Sequence, residues 1–451
     1  MPRPHFDLHF PSRSHSAAEK QSPPGPRRLF PFPSMISNAC GVDFGTSNST
    51  VGWHRPAAPS LLALEDGQPT FPSAVFFHAE DIDTSFGRAA VRDYLEGYDG
   101  RLMRALKSLL GTPLMEGHTE VQGRALPFRL LLSRFIGELK RRAERAAGRT
   151  FDQAVFGRPV FFIDDDPRAD AKAQETLAEI AREVGFRHVE FQYEPMAAAF
   201  DYESQITGEE LVLVVDIGGG TSDFTLIRLN PARAAAADRR QDILANGGVH
   251  IGGTDFDKYL SLRTVMPLLG LGSRLASGKE MPSTPYFNLA SWHTINQVYA
   301  RKSATMLAEL FHESAEKDKL ARLLELVKER AGHWVAFQVE EAKIALAAEP
   351  EARMDLGRVE PGLVQVATRA DLDAAIEHLV DRIGGTIAGL LDTAGVAARA
   401  VDTVFFTGGS SSVPLLRNRV ASLLPAARAV QGDTFGSIGT GLALDAARRL
   451  G

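Results

Sequence analysis

Short apolar stretches alternate with longer amphipathic ones through most of the chain. Segments 39–44, 154–162 and 210–216 are rich in apolar and β-branched residues and predict strands. The third is an almost unbroken apolar run, which is typical of a strand covered on both faces. Segments 128–147 and 167–184 place apolar residues at helical spacing and predict amphipathic helices. This alternation predicts an α/β fold.

Other segments predict how the rest of the chain is arranged. Residues 102–110 predict a short helix, and residues 265–290, which are rich in Gly, Pro and Ser, predict an irregular insertion. A long helical region then extends to about residue 348. Its apolar stripe predicts a buried core face.

A glycine-containing motif occurs twice. Residues 41–49 and 215–223 share the order of strand, aspartate, apolar residue, glycine, small polar residues and strand. The repeat predicts two similar halves that face each other. A third glycine turn, at residues 405–410, follows a predicted strand and precedes a predicted helix.

The two hairpins suit the binding of a phosphorylated ligand. A turn of Gly and Thr exposes successive backbone N–H groups, which form a concave site for phosphate oxygens. Mg²⁺ keeps most of its waters and binds through one or two carboxylates together with substrate phosphates. Asp43 and Asp216, at the strand ends, therefore predict a Mg-nucleotide held between the halves. Either motif alone would more often be an ordinary β-turn, and no Walker A sequence is present to indicate a P-loop enzyme.

Composition narrows the function classes. The 451 residues include 50 Lys and Arg against 56 Asp and Glu, a net charge of −6, so no broad cationic surface favours nucleic acid. The length predicts two to four packed units. A single cysteine, Cys40, excludes an intrachain disulfide and favours a reducing compartment, so we expect a cytoplasmic protein. No apolar stretch reaches the roughly 18 residues of a membrane-spanning helix.

The first 38 residues differ from the rest. They are rich in Pro, Ser and Arg and predict a disordered tail. Met35 lies shortly before the first motif, so residues 1–34 are interpreted as an upstream translation artefact or a dispensable tail. A targeting peptide is the weaker alternative.

These motifs carry a family resemblance. Segments 42–49, 214–223 and 407–410 resemble the phosphate and adenosine motifs of the actin, sugar-kinase and heat-shock ATPase superfamily. Segment 193–199 is similar to the NEPTAAA connection of DnaK-type chaperones, and 250–257 to their HLGGxDFD segment. The chain is therefore identified as resembling the DnaK-type chaperone ATPases over residues from 41 to the C-terminus.

Further segments refine the resemblance. Segments 191–195 and 266–270 resemble the short YegD-like group of stand-alone nucleotide-binding domains, and 340–346 resembles the adenosine-holding helix. The implied fold is a two-lobed actin-like ATPase with duplicated ribonuclease-H-like halves, each with an accessory subdomain. The expected lobes are residues 39–205 and 206–451, the second with a helical insertion at about 258–350. We expect no separate peptide-binding domain.

The resemblance implies a role for each motif residue. The residues implied to cradle phosphates are Gly45, Thr46, Ser47, Gly218, Gly219, Gly220 and Thr221. Those implied for the rest of the nucleotide are Gly252, Gly253, Glu340 and Lys343 (the last two at the ribose) and Gly408, Gly409, Ser410 and Asp433 (at the adenosine). The implied holders of hydrated Mg²⁺ or attacking water are Asp43, Asp216 and Asp223. The implied catalytic residues are Asp43, Asp216 and Glu194, which would orient the water.

Blander interpretations remain open for some of these residues. Glu194 could be a helix N-terminal charge before Pro195. Glu340 and Lys343 could lie on a solvated helix face, and Asp255 and Asp257 could form a loop cap.

Two positions depart from the chaperone pattern. Val91 stands where we expect the catalytic lysine of the family, and Ser412 stands where the family has an arginine that packs on adenine. A valine cannot stabilise charge on the transferring phosphoryl group, so weak hydrolysis is expected. Arg88, Arg92 and Lys107 are the candidate substitutes.

The sequence thus predicts a nucleotide-dependent conformational switch of the chaperone class that binds ATP or ADP with Mg²⁺ and hydrolyses ATP slowly. It does not identify client proteins or co-chaperones. A small-molecule kinase of the same superfamily and an actin-like polymer are the alternatives.

Overall fold

The computed structural model describes residues 38–451 except 56–57, 80–83, 122, 235 and 237–238. The predicted tail, including Met35, lies outside the described residues except for Asn38. The strands are β1 (Ala39–Asp43), β2 (Asn48–Gly52), β3 (Phe71–Pro72), β4 (Ala74–His78), β5 (Thr84–Phe86), β6 (Gly100–Arg104), β7 (His118–Val121), β8 (Arg124–Pro127), β9 (Gln153–Arg158), β10 (His188–Tyr193), β11 (Glu210–Ile217), β12 (Ser222–Leu229), β13 (Ile243–Val249), β14 (Glu351–Asp355), β15 (Val364–Thr368), β16 (Thr403–Thr407) and β17 (Arg428–Gln431).

The helices carry most of the remaining chain. They are α1 (Gly87–Leu95), α2 (Phe128–Ala147), α3 (Pro167–Glu183), α4 (Glu194–Glu203), α5 (Gly253–Thr264), α6 (Thr284–Leu289), α7 (Ile295–Val298), α8 (Arg301–Glu313), α9 (Lys317–Lys328), α10 (Gly332–Leu346), α11 (Arg369–Ala394), α12 (Pro414–Leu423) and α13 (Ser437–Leu450). Within the described part of the chain, no helix combines the length and the apolar character that a membrane crossing needs.

Two five-stranded sheets have the same strand order. One runs β3-β2-β1-β9-β10 and the other β13-β12-β11-β16-β17. In each, the central strand pairs antiparallel with its hairpin partner and parallel with the strand on its other side, as β1 does with β2 and β9, and β11 with β12 and β16. The expected duplication of one α/β half is confirmed.

The central strands are apolar because both of their faces are covered. Residues 212–215 of β11 are fully buried, as the unbroken apolar run predicted. The chain polarity of each hairpin places its aspartate at the carboxyl end of the first strand, Asp43 opposite Thr50 and Asp216 opposite Asp223. Both sheets therefore present their glycine loops at equivalent edges.

Each half carries an accessory unit. In the first half, β5-β4-β6 form a small sheet against α1. In the second half, α5 to α10 form a helical unit that the β14–β15 hairpin closes. The helical unit lies close to the expected 258–350, and the predicted irregular insertion contains a 3₁₀ turn at Met266–Leu269 and the short α6.

The helix expected at 102–110 is wrong. The chain forms β6 as far as Arg104, turns at Ala105 with φ of +56°, and makes a 3₁₀ turn at Leu106–Leu109. Pairing of β6 with β4 buries Leu102 and Met103 in a sheet, and so short an apolar run does not by itself distinguish strand from helix. This turn determines where Lys107 lies.

Two helices cross between the halves at the base of the cleft. Helix α4, from the first half of the chain, packs against β11 and β12 of the second sheet, whereas the C-terminal α13 packs against β1 and β9 of the first. The expected boundary at 205/206 assigned α13 to the second lobe, but its apolar face is covered by Ala39 and Val155. Where the helices touch, a Cβ on Gly441 would overlap the backbone of Ala197.

This close approach predicts a steric effect on stability. We expect Gly441→Ala to lower the melting temperature by several degrees, because overpacking typically costs about 1–3 kcal/mol. Gly385→Ala is the matched control, since that glycine is exposed on α11 with open space around its Cβ position. The control should be slightly stabilising because alanine favours helix. Equal melting temperatures for the two variants would contradict the close approach of α13 to α4 at Gly441.

Candidate functional site

The two glycine loops face each other across the cleft between the sheets. A Cβ on Gly219 would overlap Ser47 Oγ and lie 3.2 Å from Thr46 Cβ, and one on Gly220 would lie 2.9 Å from Thr46 Oγ1. Residues with larger side chains do not fit at this approach. The repeated motif of the sequence is therefore one site made from two halves, and it brings together the loop residues Gly45, Thr46, Ser47, Gly218, Gly219, Gly220 and Thr221.

Two further predicted motifs support the second loop. The N–H groups of Gly253 and Thr254 donate to the carbonyls of Gly218 and Gly219, at 2.9 and 2.8 Å. A Cβ on Gly408, which has φ of +79°, would lie 2.6 Å from Asp216 Oδ1. The 250–257 and 407–410 segments thus meet at the carboxyl end of β11.

Three aspartates lie beneath the loops with little solvent contact. Asp43, Asp216 and Asp223 are 8%, 3% and 1% exposed. Asp223 Oδ1 accepts a hydrogen bond from the Val160 N–H at 2.5 Å. The atoms Asp216 Oδ1 and Asp223 Oδ2 are buried without a hydrogen-bond partner. Buried carboxylate oxygens without donors are suited to a cation.

The electrostatics of this cluster also favour a cation. Burial, reinforced by the charge of Glu194, raises the pKa of Asp43 and of Asp223 to about 7 each. The same causes raise the pKa of Asp216 well above its ordinary value. In the described part of the chain no three His, Cys, Asp or Glu side chains are placed to hold a metal directly. Asp43, Asp216 and Asp223 remain the residues predicted to hold hydrated Mg²⁺.

One lysine lies within the acidic cluster. Lys107 Nζ donates to Glu194 Oε1, and both side chains are 7% exposed. Burial alone would lower the pKa of Lys107, but the charges of Glu194, Asp43 and Asp223 outweigh it and raise that pKa. Glu194 is the first residue of α4, next to Gly157, where a Cβ would lie 3.1 Å from Glu194 Cγ. Glu194 is thus a helix N-terminal charge that also faces the site.

The structure shows where Val91 and the three candidate substitutes lie. Val91 lies on α1 and is partly buried against the cluster that contains Phe76 and Leu102 of the accessory sheet. Among the candidate substitutes, Arg88 is bound to Glu65 and Thr70, and Arg92 is exposed. Only Lys107 of these reaches the acidic cluster.

The sequence indicated Lys107 as one substitute of three and did not single it out. The signal that distinguishes it is its setting among Leu106, Leu109 and Leu110, because a lysine buried with such neighbours is rarely without a charged partner. The wrong prediction of a helix at 102–110 gave no indication of where the Lys107 side chain lies.

The two residues implied at the ribose, Glu340 and Lys343, make contacts with other residues of this chain. Glu340 accepts a hydrogen bond from Arg104 at 2.8 Å across the cleft. Lys343 Nζ lies 2.7 Å from Asp257 Oδ1 and donates to the Gly253 carbonyl at 3.2 Å. A solvated helix face is therefore wrong for both residues.

The loop-cap interpretation of Asp255 and Asp257 holds for the first residue and not for the second. Asp255 accepts the Gly252 N–H at 2.9 Å and so confirms the loop cap. Asp257 instead pairs with Lys343, and burial raises its pKa to about 6.

The residues implied at the adenosine lie beside these groups. Ser410 Oγ contacts the Cβ position of Gly253, which Lys343 also approaches. Asp433 precedes α13, and its Oδ1 accepts the Phe435 N–H at 3.2 Å. The loop that carries Asp433 thus borders the Gly408–Gly409 turn.

Comparisons with known proteins agree with this arrangement. The family model "Hsp70 protein" matches residues 39–265 and 306–447, which is most of the chain. The chain belongs to the Hsp70 family. The unmatched residues 266–305 contain the insertion between α5 and α8. Hsp70 proteins are chaperone-type nucleotide-binding proteins, which supports the ATP and ADP site expected from the loops.

Two curated relatives show how far the likeness extends. The chaperone proteins DnaK from two strains of Thermus thermophilus are each 24% identical to this chain over 416 residues. The aligned region covers 86% of this chain but 57% of either relative. This Hsp70-family chain therefore spans little more than half the length of those chaperones.

The acidic cluster predicts a pH-dependent stability. The raised pKa of Asp43 means that the folded chain holds a proton that the unfolded chain, with a pKa of about 4, releases first. The stability of the metal-free protein therefore falls as the pH rises from about 4 to about 7. Asp43→Asn removes the part of this dependence that Asp43 contributes, so we expect its melting temperature to exceed the wild-type value by several degrees at pH 8 and by less at pH 5.

A surface aspartate provides the matched control for that measurement. Asp392→Asn, on the exposed face of α11, should follow the wild type at both pH values in metal-free buffer. If the melting temperature of Asp43→Asn also equals the wild-type value at both pH values, burial does not raise the pKa of Asp43 as described.

Proposed function

We propose that this chain binds Mg-ATP between its two lobes and hydrolyses it. The observation that carries the proposal is the buried ion pair of Lys107 and Glu194 among three aspartates beneath the facing glycine loops. The loops supply backbone N–H groups for phosphate oxygens, and the aspartates suit a hydrated divalent ion. The site thus has each component that phosphoryl transfer to water requires.

The charge of each protein group at the site determines its proposed role. Lys107 is a buried cation whose raised pKa keeps it protonated, so it can offset charge on the transferring phosphoryl group. Glu194, within reach of the lysine, can accept a hydrogen bond from an attacking water and orient it. Asp43, Asp216 and Asp223 would hold hydrated Mg²⁺, which would supply positive charge against the phosphates.

The proposed rate differs from the one expected on sequence. Slow hydrolysis is the expectation from Val91 alone, and the buried Lys107 supplies a cation that this expectation does not include. We therefore propose an ATPase with its cation in place. The YegD-like subgroup remains a proposal that rests on segments 191–195 and 266–270, and the cytoplasm remains the proposed compartment because the one cysteine is buried and free.

Removing the lysine tests the catalytic role. We expect Lys107→Ala to lower the ATP turnover rate about 10²–10³-fold, because one well-placed charge donor is lost. Mg-ATP affinity should fall much less, since the loops and aspartates remain. Turnover and calorimetric titration on the same preparation, with a melting curve to check folding, measure both.

Two other variants are the controls for that experiment. Arg92→Ala removes an exposed cation from the same accessory unit and should leave turnover unchanged. Glu194→Gln keeps the size of the side chain and should also slow turnover. Normal turnover in Lys107→Ala would refute the assignment.

We further propose that nucleotide controls closure of the cleft. Arg104 of β6 pairs with Glu340 and lies over the rings of Trp292 and Phe337, at 4.3 and 4.6 Å from their centroids. Tyr94 of α1 donates to the Arg330 carbonyl at 2.9 Å, and its oxygen accepts the Trp334 N–H at 3.0 Å. These contacts join the two accessory units and must break when the lobes separate.

A conformational switch of this kind supports a chaperone-class role. The two relatives are chaperones by name, and a domain that opens and closes with nucleotide can regulate a bound partner. Client proteins are proposed as a class only.

Breaking the cross-cleft ion pair should speed opening. We expect Arg104→Ala to increase the release rate of a fluorescent ADP analogue about tenfold or more, because an ion pair with Glu340 and two cation–π contacts are lost. Stopped-flow displacement with excess ATP measures the rate. Arg129→Ala is the matched control, since its ion pairs with Glu179 and Glu183 lie within the first lobe. An unchanged release rate in Arg104→Ala would contradict the switch.

A further inference from the structure

A cavity of about 1520 Å³ lies between the two accessory units. Its first wall comes from β4, β6, β7 and the end of α1, and its second from α7, the end of α9 and the segment after β14. Ligand pockets in proteins typically measure roughly 300–1000 Å³, so this one has room for a small molecule. The residues that line it include none from the glycine loops or the acidic cluster.

Part of the second wall comes from the insertion that the Hsp70 family model does not match. Asn296 and Tyr299 line the cavity and lie within residues 266–305. Asn296 Nδ2 donates to the Leu102 carbonyl at 3.4 Å, and the Tyr299 hydroxyl oxygen accepts the Gly332 N–H at 2.8 Å. The insertion therefore contacts both the first accessory unit and α10, and the family match does not account for this wall.

Three arginines from the two accessory units line the cavity. Arg101 lies on β6 of the first unit, whereas Arg330 follows α9 and Arg358 follows β14 in the second. Among the described residues, none of the three side chains forms an ion pair with a carboxylate. Because a guanidinium group stays protonated in proteins, the cavity carries three cations without a directly bound anion.

Arg101 is the most buried of the three. Its Nη1 donates to the Glu120 carbonyl at 2.9 Å, whereas its Nε is buried and has no hydrogen-bond partner among the described residues. Burial and the charge of Arg330 lower the pKa of Arg101, and the Glu120 carboxylate offsets this only in part. A buried donor that lacks an acceptor and lies near a like charge suits an anionic ligand.

The other two arginines lie where the accessory units touch. The Arg330 carbonyl accepts the Tyr94 hydroxyl at 2.9 Å, and the backbone of Arg330 has φ of +48°. The Arg358 guanidinium donates to the Leu95 carbonyl and lies over the Trp334 ring, 5.4 Å from its centroid. Both arginines of the second unit therefore meet the end of α1 in the first.

The acidic side chains that line the cavity do not pair with these arginines. Glu325 and Glu329 both pair with Lys328, at 2.9 and 3.4 Å. Asp99 and Glu120 are exposed, and within the described part of the chain neither forms an ion pair. The guanidinium groups thus remain available to an anion from outside the chain.

We propose that this cavity binds a small molecule with at least two oxyanion groups, and that the bound anion holds the accessory units together. The inference rests on the proposed control of cleft closure by nucleotide. A guanidinium group offers paired N–H donors that match a phosphate or a carboxylate. A phosphate monoester carries a charge of only about −1.5 to −2 at neutral pH, so three arginines call for a second anionic group.

The anion would couple this cavity to the nucleotide site. It would join Arg101 of one unit to Arg330 and Arg358 of the other, and so replace repulsion across the cleft by attraction. A ligand that binds the closed cleft more tightly than the open one shifts the equilibrium towards closure. Because closure also retains nucleotide, each ligand should raise the affinity for the other by the same factor.

The first test is a calorimetric titration of the full chain with glucose bisphosphate while Mg-ADP fills the nucleotide site. We expect one binding site in the wild type and about tenfold weaker binding in Arg330→Gln, because charge-assisted hydrogen bonds are lost. Arg382→Gln, at an exposed arginine on α11 outside the cavity, is the matched control and should bind like the wild type. Glucose should not bind, and citrate determines whether carboxylates replace phosphates.

The second test measures the coupling. With whichever anion binds at saturation, the affinity for Mg-ADP should rise about fivefold or more in the wild type and in Arg382→Gln, but not in Arg330→Gln. An anion that binds without raising that affinity would confirm the site and overturn its role in closure.

Three results would overturn the inference as a whole. They are binding of neither anion to the wild type, equal binding to Arg330→Gln, and a lowered affinity for Mg-ADP, which would indicate competition at the nucleotide site. Failure of the wild type to bind Mg-ADP would instead overturn the proposed function, and the titration with each anion would still decide whether the cavity is a binding site.

Discussion

The structure depends on keeping four carboxyl groups and one lysine buried together between two loops. Asp43, Asp216, Asp223 and Glu194 repel one another in a region of low dielectric, and Lys107 is the one cation that the described residues place among them. Such a cluster does not stabilise the fold, because desolvation and like charge both raise the pKa values of the aspartates. Other parts of the protein must hold it in place, and a cationic ligand would neutralise it.

The two sheets supply that support. Their central strands are buried on both faces, so the aspartates at the ends of β1 and β11 start from rigid positions. Loops of Gly, Thr and Ser then extend over the carboxylates, and the contact of Gly219 with Ser47 shows how little space separates them. The helices α4 and α13 cross between the sheets, so each half packs partly on an element from the other half of the chain.

The short connection after β6 links the contact across the cleft to the acidic cluster. Arg104 reaches the second lobe, and three residues later Lys107 enters the acidic cluster. Between them Ala105 takes a left-handed conformation and is buried against the core of the second lobe. Movement of the accessory units would therefore displace the lysine. The same physical link would let the proposed nucleotide site respond to movement of the accessory units.

The sequence by itself determined the duplicated halves and most of the loop residues. That was possible because an aspartate at the end of an apolar strand followed by a glycine turn is a local pattern, present twice. The tertiary structure decided the role of Lys107, the partners of Glu340 and Lys343, and the packing of α13 on the first sheet. Each of these depends on residues far apart in the chain, such as Arg104 with Glu340, and a short apolar run such as 102–110 has the same pattern in a strand as in a helix. Periodicity describes which face of an element is buried, and only the packed fold determines what that face meets.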